Sequence, residues 1–169
     1  MAVSIVAAIL LLFLYVIIFS FSEQDADTSG GLSHMISEKC VELMNSLAGG
    51  RWTDSFMAGL ADYFEHPIRK LAHFAEYACM GVLVYVMWCP WKKSSKWLLL
   101  LGTMWVFVSA SGDEIHQLFV PGRYGSFADV LLDTCGGCFG MTCCIILEKL
   151  ILKSKEKRKE KKKTNPTII

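Results

Sequence analysis

Four long runs of hydrophobic residues alternate with polar segments along the chain, and this pattern predicts the fold. Ala2 to Phe21 contains no charged residue, and the other runs cover 71–91, 97–112 and 127–147. A helix needs about 20 mostly apolar residues to cross the hydrocarbon core of a bilayer. In lipid a helix satisfies its own backbone hydrogen bonds. The pattern therefore predicts an all-α polytopic membrane protein, a four-helix transmembrane bundle with spans near 2–21, 70–91, 97–120 and 127–152.

The segment between the first two spans carries a helical pattern of its own. Apolar residues recur at helical spacing from Leu32 to Leu47, and Ala48-Gly49-Gly50 should end that helix. A second amphipathic stretch, from Phe56 to Phe64, leads to Pro67, which suits the first turn of the next helix. We expect short amphipathic helices here that lie along the membrane surface or cap the bundle.

Composition supports a membrane protein with one domain. Of the 169 residues 53% are hydrophobic, and the mean hydropathy of +0.40 exceeds that of ordinary soluble domains. The first run lacks a basic start and a small-x-small cleavage site, so we expect an uncleaved anchor. The expected membrane domain covers 1–153, and the basic tail 154–169 is expected to be cytoplasmic and disordered.

The distribution of Lys and Arg predicts the orientation. Of 17 such residues, nine lie between Lys149 and Lys163 and three more are Lys92, Lys93 and Lys96, after the second span. Four spans put both groups on one side, which the positive-inside rule makes cytoplasmic. We therefore expect cytoplasmic N- and C-termini and an outer segment from 22 to 69.

The basic tail and the cysteines have simple interpretations. The run KSKEKRKEKKK beside a span indicates contact with anionic lipid, and we expect no nucleic-acid partner. Cys135-Gly-Gly-Cys138 has the spacing of a redox motif, but it lies inside an apolar run. Close helix packing is the better interpretation of its small residues.

Ionisable residues concentrate at the outward ends of spans two, three and four. Within each span they share one helical face. These sets are Arg69, His73 and Glu76 in span two, Asp113, His116 and Gln117 in span three, and Asp129 and Asp133 in span four. Charged residues in membranes face the bundle, pair with one another or line a wet cavity. We infer one polar pocket that opens outward and also contains Arg123, whereas Glu114 points off the shared face.

Two interpretations of this pocket stay open from the sequence. The polar residues could form a structural network that holds the helices in register, or they could form a functional site. The carboxylates on the shared faces outnumber Arg69 and Arg123, so several need a proton, a metal or a cationic ligand. This excess favours a functional site.

The pocket also contains the residue types of acid–base and metal chemistry. Candidate catalytic residues are His73, Glu76, Asp113, His116, Asp129 and Asp133. The spacings His73-x-x-Glu76 and Asp129-x-x-x-Asp133 suit a divalent metal in a helix bundle, although no HExxH motif is present. No GxSxG nucleophile motif is present either.

Three segments resemble the VanZ family, in the family's order. They are RKLAHFAEYACMG (69–81), SGDEIHQLFVPGR (111–123) and FADVLLDTCGGCFG (127–140). The residues that match the family pattern are Arg69, Lys70, His73, Phe74, Glu76 and Tyr77 in the first, Asp113, Glu114, Gln117, Phe119, Pro121 and Arg123 in the second, and Asp129, Asp133, Gly136 and Gly140 in the third. The resemblance covers most of the chain from Phe19 to about Leu147 and leaves the tail outside it.

The resemblance implies a multi-pass protein of the plasma membrane in a bacterial, Gram-positive, cell envelope. The family is associated with antibiotic resistance to the glycopeptide teicoplanin. We expect an outward-facing pocket for a membrane-proximal ligand, such as a lipid-linked cell-wall precursor or the glycopeptide itself. The expected ligand-binding residues are Arg69, His73, Glu76, Asp113, Gln117, Arg123, Asp129 and Asp133.

The alternatives belong to other functional classes. One is an intramembrane enzyme that acts on a lipid-linked envelope substrate by acid–base or metal chemistry. Another is a small proton-coupled transporter, for which four spans would require a homodimer to enclose a pathway. Membrane lipids are expected partners under every alternative.

Overall fold

The chain folds into five α-helices and one short 3₁₀ turn in a computed structural model that describes residues 1–23, 26–91 and 94–164. Lys92 and Lys93, which contribute to the predicted orientation, lie outside the described residues. The elements are α1 (Ala2–Ser22), α2 (Ala26–Leu47), α3 (Asp54–Trp88), the 3₁₀ turn (Cys89–Trp91), α4 (Ser95–Gln117) and α5 (Phe127–Thr164). Helices α1, α3, α4 and α5 are long and apolar enough to span a membrane. The predicted all-α membrane fold with four spans is confirmed.

Local capping residues explain where the helices begin and end. The Thr53 hydroxyl accepts a hydrogen bond from the Phe56 amide at the start of α3, and Ser94 caps α4 in the same way. After α2 the chain turns through Gly49 and Gly50, whose φ angles are 93° and 69°. Only glycine adopts such angles without strain, so the stop predicted for α2 is confirmed.

Helix α3 is longer than the sequence predicted. The stretch 56–64 is not a separate helix, because α3 continues through Pro67 into the span. Contacts from α2 support this first half of α3: the Ser37 hydroxyl donates to the Ala61 carbonyl oxygen at 2.6 Å, and His34 Nε2 lies 3.0 Å from Asp62 Oδ1. These tertiary contacts offset the backbone hydrogen bond that proline cannot donate.

Helix α5 also extends beyond its predicted end. We expected disorder over 154–169, but the helix continues to Thr164, and 165–169 lie outside the described residues. Lys, Glu and Arg are strong helix formers. The helix is already nucleated within the bundle, so these residues can extend it by about 1.5 Å each. The basic segment therefore prolongs the fourth span as a charged helix.

Glycines let α3 and α5 pack with their backbones in contact. A Cβ atom at Gly81 would collide with the Gly137 carbonyl, one at Gly136 with the Phe74 carbonyl, and one at Gly140 with Ala78. This agrees with the small-xxx-small pattern of Gly136 and Gly140. The buried core of the bundle includes Tyr77, Met80, Val84, Val106 and Met141.

The two ends of the bundle differ in polarity. At one end the Tyr85 hydroxyl donates to Glu148 Oε2 at 2.6 Å, and the Trp88 and Trp105 rings meet edge to face. At the other end, which we call the polar end, the last turns of α1 and α4 meet the middle of α3 and the first turns of α5. The ionisable residues of the sequence analysis lie at this polar end.

Candidate functional site

A water-accessible cavity of about 370 Å³ opens at the polar end of the bundle, and we call it the polar cavity. Side chains of α3, α4 and α5 and of the α4–α5 loop surround it. Its lining residues are His66, Arg69, Lys70, His73, Glu114, Gln117, Gly122, Arg123, Tyr124, Ser126, Asp129, Leu132 and Asp133. Three predicted polar faces thus meet around one space, and six of the nine predicted pocket residues line it.

One ion pair crosses the polar cavity between two spans. The Lys70 ammonium group of α3 contacts the Asp129 carboxylate of α5, and both side chains are about two-thirds buried. From the sequence, Arg69 and Arg123 are the residues expected to neutralise carboxylates of the pocket. In the structure Arg69 Nη2 lies 3.3 Å from His66 Nδ1, and Arg123 Nη2 donates to the Phe21 carbonyl oxygen at 3.1 Å. Lys70 is therefore the residue that compensates Asp129.

Glu114 lies at the polar cavity, which corrects the expectation that it points elsewhere. The α4–α5 loop folds back over the end of α4, and the Ser126 amide donates to Glu114 Oε2 at 2.6 Å. The loop comes so close at Gly125 that a Cβ there would lie 2.8 Å from the Glu114 carbonyl oxygen. Helical spacing alone could not predict that Glu114 lines the cavity, because the α4–α5 loop forms the part of the cavity wall beside Glu114.

Two aspartates lie fully buried at the inner side of the polar end. Asp133 is 0% exposed and lines the cavity, and neither of its carboxyl oxygens has a hydrogen-bond partner among the described residues. Asp113 is 2% exposed, and its Oδ2 accepts a hydrogen bond from Gln117 Nε2 at 3.1 Å. Buried carboxyl groups without partners are costly. Asp133 therefore lies buried beside the cavity with two carboxyl oxygens that no described residue satisfies.

The remaining predicted residues lie beside the polar cavity and not in its wall. Glu76 lines a second, smaller space of about 130 Å³, the side cavity, together with residues of α1 and α2. Asp113 lies behind Gln117 and does not line either space. The His116 ring packs edge to face on Phe19, with ring centroids 5.2 Å apart. His116 therefore joins α1 to α4 and does not reach the predicted pocket.

Sequence reasoning missed some lining residues that a simple signal indicates. His66, Lys70 and His73 are spaced i, i+4 and i+7, which places them on one helical face. His66 and Lys70 are absent from the predicted set because that set follows the helical face of Arg69 in a helix expected to begin at Pro67. Tyr124 and Ser126, by contrast, come from the loop, for which the sequence has no periodic signal.

The charged side chains around the polar cavity include both hydrogen-bond donors and acceptors. Among the hydrogen bonds of the described residues, none joins His73 or His116 to a carboxylate. Within the same part of the chain, no group of three or more His, Cys, Asp or Glu side chains is placed to hold a metal ion. The cavity instead combines Lys and Arg donors with carboxyl acceptors.

Comparison with known proteins identifies one related family. The family model described as VanZ/LLP1 matches residues 7–148, which reach into all four spans and include the whole polar end. No curated protein sequence matches the chain. No solved structure matches it either.

Proposed function

Because this chain belongs to the VanZ/LLP1 family, we propose that it acts at the outer face of a bacterial plasma membrane, with both termini in the cytoplasm. There the polar cavity binds the polar part of a membrane-proximal ligand. The ligand is a lipid-linked cell-wall precursor or a glycopeptide such as teicoplanin. By holding either one, the protein contributes to glycopeptide resistance.

The observation that supports binding is the meeting of three polar helix faces around one open cavity. Charged side chains inside a membrane are costly unless they pair or line a wet space. Lys70 and Asp129 pair with each other, whereas the two carboxyl oxygens of Asp133 are buried beside the cavity and have no hydrogen-bond partner among the described residues. A purely structural network would pair them. The spare acceptors therefore suit a ligand that brings its own donors.

The charged side chains that line the cavity indicate which chemical groups the ligand carries. Arg69, Lys70 and Arg123 supply cationic donors, and Glu114 and Asp133 supply acceptors. Guanidinium groups bind phosphate and carboxylate oxygens with paired hydrogen bonds. A head group that carries both an anion and amide or hydroxyl donors therefore complements the cavity. Cell-wall precursors and glycopeptides both have this mixture of groups.

A bound ligand at this place would lower the effect of the drug in either of two ways. A held precursor is shielded from the drug, and a held drug molecule is kept from its target. In both ways the protein competes with the interaction between the drug and its target at the membrane surface, and neither way requires a chemical step.

The test uses cavity variants in a teicoplanin-susceptible Gram-positive host. Arg69→Gln and Asp133→Asn each remove a charge from the lining with little change in shape. We expect each variant to insert and fold but to lower the minimal inhibitory concentration of teicoplanin to that of the host without the gene. Folding is measured as the yield of monodisperse protein in detergent.

Glu42→Gln is the matched control, because Glu42 is an exposed acid of α2 that pairs only loosely with Lys39 at 4.0 Å. We expect this variant to keep full resistance. If both cavity variants fold normally and also keep full resistance, the polar cavity is not the functional site. If neither variant folds, the polar residues serve the structure, and the proposal loses its support.

A further inference from the structure

An exposed aromatic ring borders the polar cavity, that of Tyr124 in the α4–α5 loop. Tyr124 lines the cavity and is 87% exposed. Phe119 of the same loop and Phe127 at the start of α5 are 83% and 68% exposed, and neither lines the cavity. Aromatic residues near a membrane surface often contact the lipid head groups. Such contact alone does not account for the position of Tyr124 at the cavity, so its ring is available to a bound group as well.

Backbone contacts on both sides of Tyr124 fix its position in the loop. Residues 120–123 form a turn that the backbone amide of the last residue closes with the carbonyl oxygen of the first, at 3.2 Å. The third residue of this turn, Gly122, has a φ angle of 74°, which glycine adopts without strain. Two residues after Tyr124, the Ser126 amide donates to Glu114 Oε2. The ring is held between these two points, so a ligand that contacts it has little loop motion to suppress.

Two carboxylate groups line the cavity together with this ring. Glu114 is bonded to the loop at Ser126, two residues after Tyr124. Asp129, in the first turn of α5, contacts Lys70 through one oxygen, Oδ1. The two oxygens of a carboxylate together provide about four acceptor positions. Glu114 and Asp129 can therefore accept further hydrogen bonds from a group that lies beside Tyr124.

Cationic donors lie among these acceptors, so the lining has no single sign of charge. Lys70 contacts Asp129 directly, and Arg69 lines the same cavity. A purely anionic group would meet the carboxylates of Glu114 and Asp129, and a purely cationic group would meet Lys70 and Arg69. Like charges at close range repel in either case. A hydroxyl group avoids both costs, because it donates to a carboxylate and accepts from an ammonium or guanidinium group.

We propose that the polar cavity binds a sugar ring of its ligand, which packs on the Tyr124 ring and donates hydroxyl hydrogen bonds to Glu114 and Asp129. A pyranose ring has an apolar face of C–H groups and a rim of hydroxyl groups. It therefore complements an aromatic face that lies beside carboxylates. This inference rests on the proposed binding function and names the part of the ligand that the cavity recognises.

The size of the cavity agrees with recognition of a part of the ligand. Its volume of about 370 Å³ is near the lower end of the range of about 300–1,000 Å³ that small-molecule sites occupy. A sugar unit fits such a space, whereas a whole lipid-linked precursor or glycopeptide does not. Both of these ligands carry sugars, so the same chemistry could come from either source.

The experiment uses the full chain in phosphatidylcholine nanodiscs with N-acetylglucosamine as the probe. The protein is prepared without alkyl glycoside detergents, because their sugar head groups would compete. Saturation-transfer difference NMR measures how closely each proton of the probe approaches the protein. We expect the strongest saturation at the C–H protons on one face of the sugar ring. Choline is the second probe, and we expect no saturation of its methyl groups above that in empty nanodiscs.

Substitutions of the loop aromatics test the role of the Tyr124 ring. Tyr124→Ala should weaken sugar binding about tenfold, a loss typical of truncating an aromatic residue that a ligand contacts. Tyr124→Phe should keep the affinity, because the ring remains. Phe119→Ala is the matched control, since Phe119 is an equally exposed aromatic of the same loop that does not line the cavity. The exposure of both side chains means that neither change should impair folding.

Competition distinguishes the two sources of the sugar. Loss of the N-acetylglucosamine signal on addition of a soluble disaccharide pentapeptide, the sugar and peptide part of the precursor, would assign the precursor. Loss of the signal on addition of teicoplanin would assign the drug. Competition by neither compound would separate the sugar from the proposed ligand and overturn the inference.

Three further results would overturn the sugar assignment. They are an absence of saturation in N-acetylglucosamine, an unchanged affinity in Tyr124→Ala, and saturation of choline in place of the sugar, which would indicate a cation on the aromatic ring. Each can occur while Asp133→Asn still abolishes resistance, in which case the proposed cavity function stands without the sugar. Conversely, sugar binding that depends on Tyr124 in a protein whose cavity variants keep full resistance would support the sugar site and contradict the role in resistance.

Discussion

Lys70 and Asp129 illustrate what individual residues contribute to the polar end. Helical spacing predicted that charged groups of α3 and α5 would face one another, and they do. It did not predict that Lys70 would be the partner of Asp129, because the rotation of two helices about their axes depends on their packing. Glu114 was misplaced for a related reason, since its position follows from a loop that folds back through Gly125 and Ser126.

The ion pair should be measurable as a coupling between the two residues. Lys70→Gln and Asp129→Asn each leave one charge, about two-thirds buried, without its partner, so each should lower the free energy of unfolding. The double variant should lose less than the two single losses combined, by about 1–3 kcal/mol. Unfolding in detergent, followed by tryptophan fluorescence, measures the cycle. Strictly additive losses would show that the two groups do not interact.

At the level of elements, the packing of α3 against α5 positions the site. The sequence predicted all four spans and the stop after α2, because hydrophobic length and glycine turns are local signals. It predicted neither the passage of α3 through Pro67 nor the helical course of α5 beyond Lys153. The first depends on contacts with α2, and the second on a helix already nucleated in the bundle.

Alanine substitutions test the close approach of these two helices. Gly140→Ala should destabilise the protein markedly, because the added Cβ meets the backbone of Ala78 and forces the helices apart. Gly112→Ala is the control, since a Cβ at Gly112 meets nothing within 4 Å. That variant should be neutral or stabilised by about 0.5–1 kcal/mol through lower backbone entropy. Similar melting temperatures for the two variants would contradict the described α3–α5 interface.

At the level of the whole molecule, the two ends of the bundle differ in chemistry, and the long basic segment of α5 lies away from the polar end. The basic end of α5 and the start of α4 lie together opposite the polar cavity. By the positive-inside rule this arrangement predicts that the cavity faces the cell exterior. The orientation could be predicted from the sequence, because it depends only on the positions of Lys and Arg, and it stays a prediction. The shape of the cavity could not, since it depends on how four helices and one loop pack.

The outward opening of the polar cavity is tested most directly by cysteine labelling in intact cells. Tyr124 lines the cavity mouth and is 87% exposed, whereas Lys96 is exposed at the opposite end. Tyr124→Cys and Lys96→Cys are made separately in a protein whose seven native cysteines are replaced by alanine. A membrane-impermeant maleimide should label Tyr124→Cys in intact cells and Lys96→Cys only after permeabilisation. The reverse pattern would place the cavity in the cytoplasm and contradict a role at the outer face.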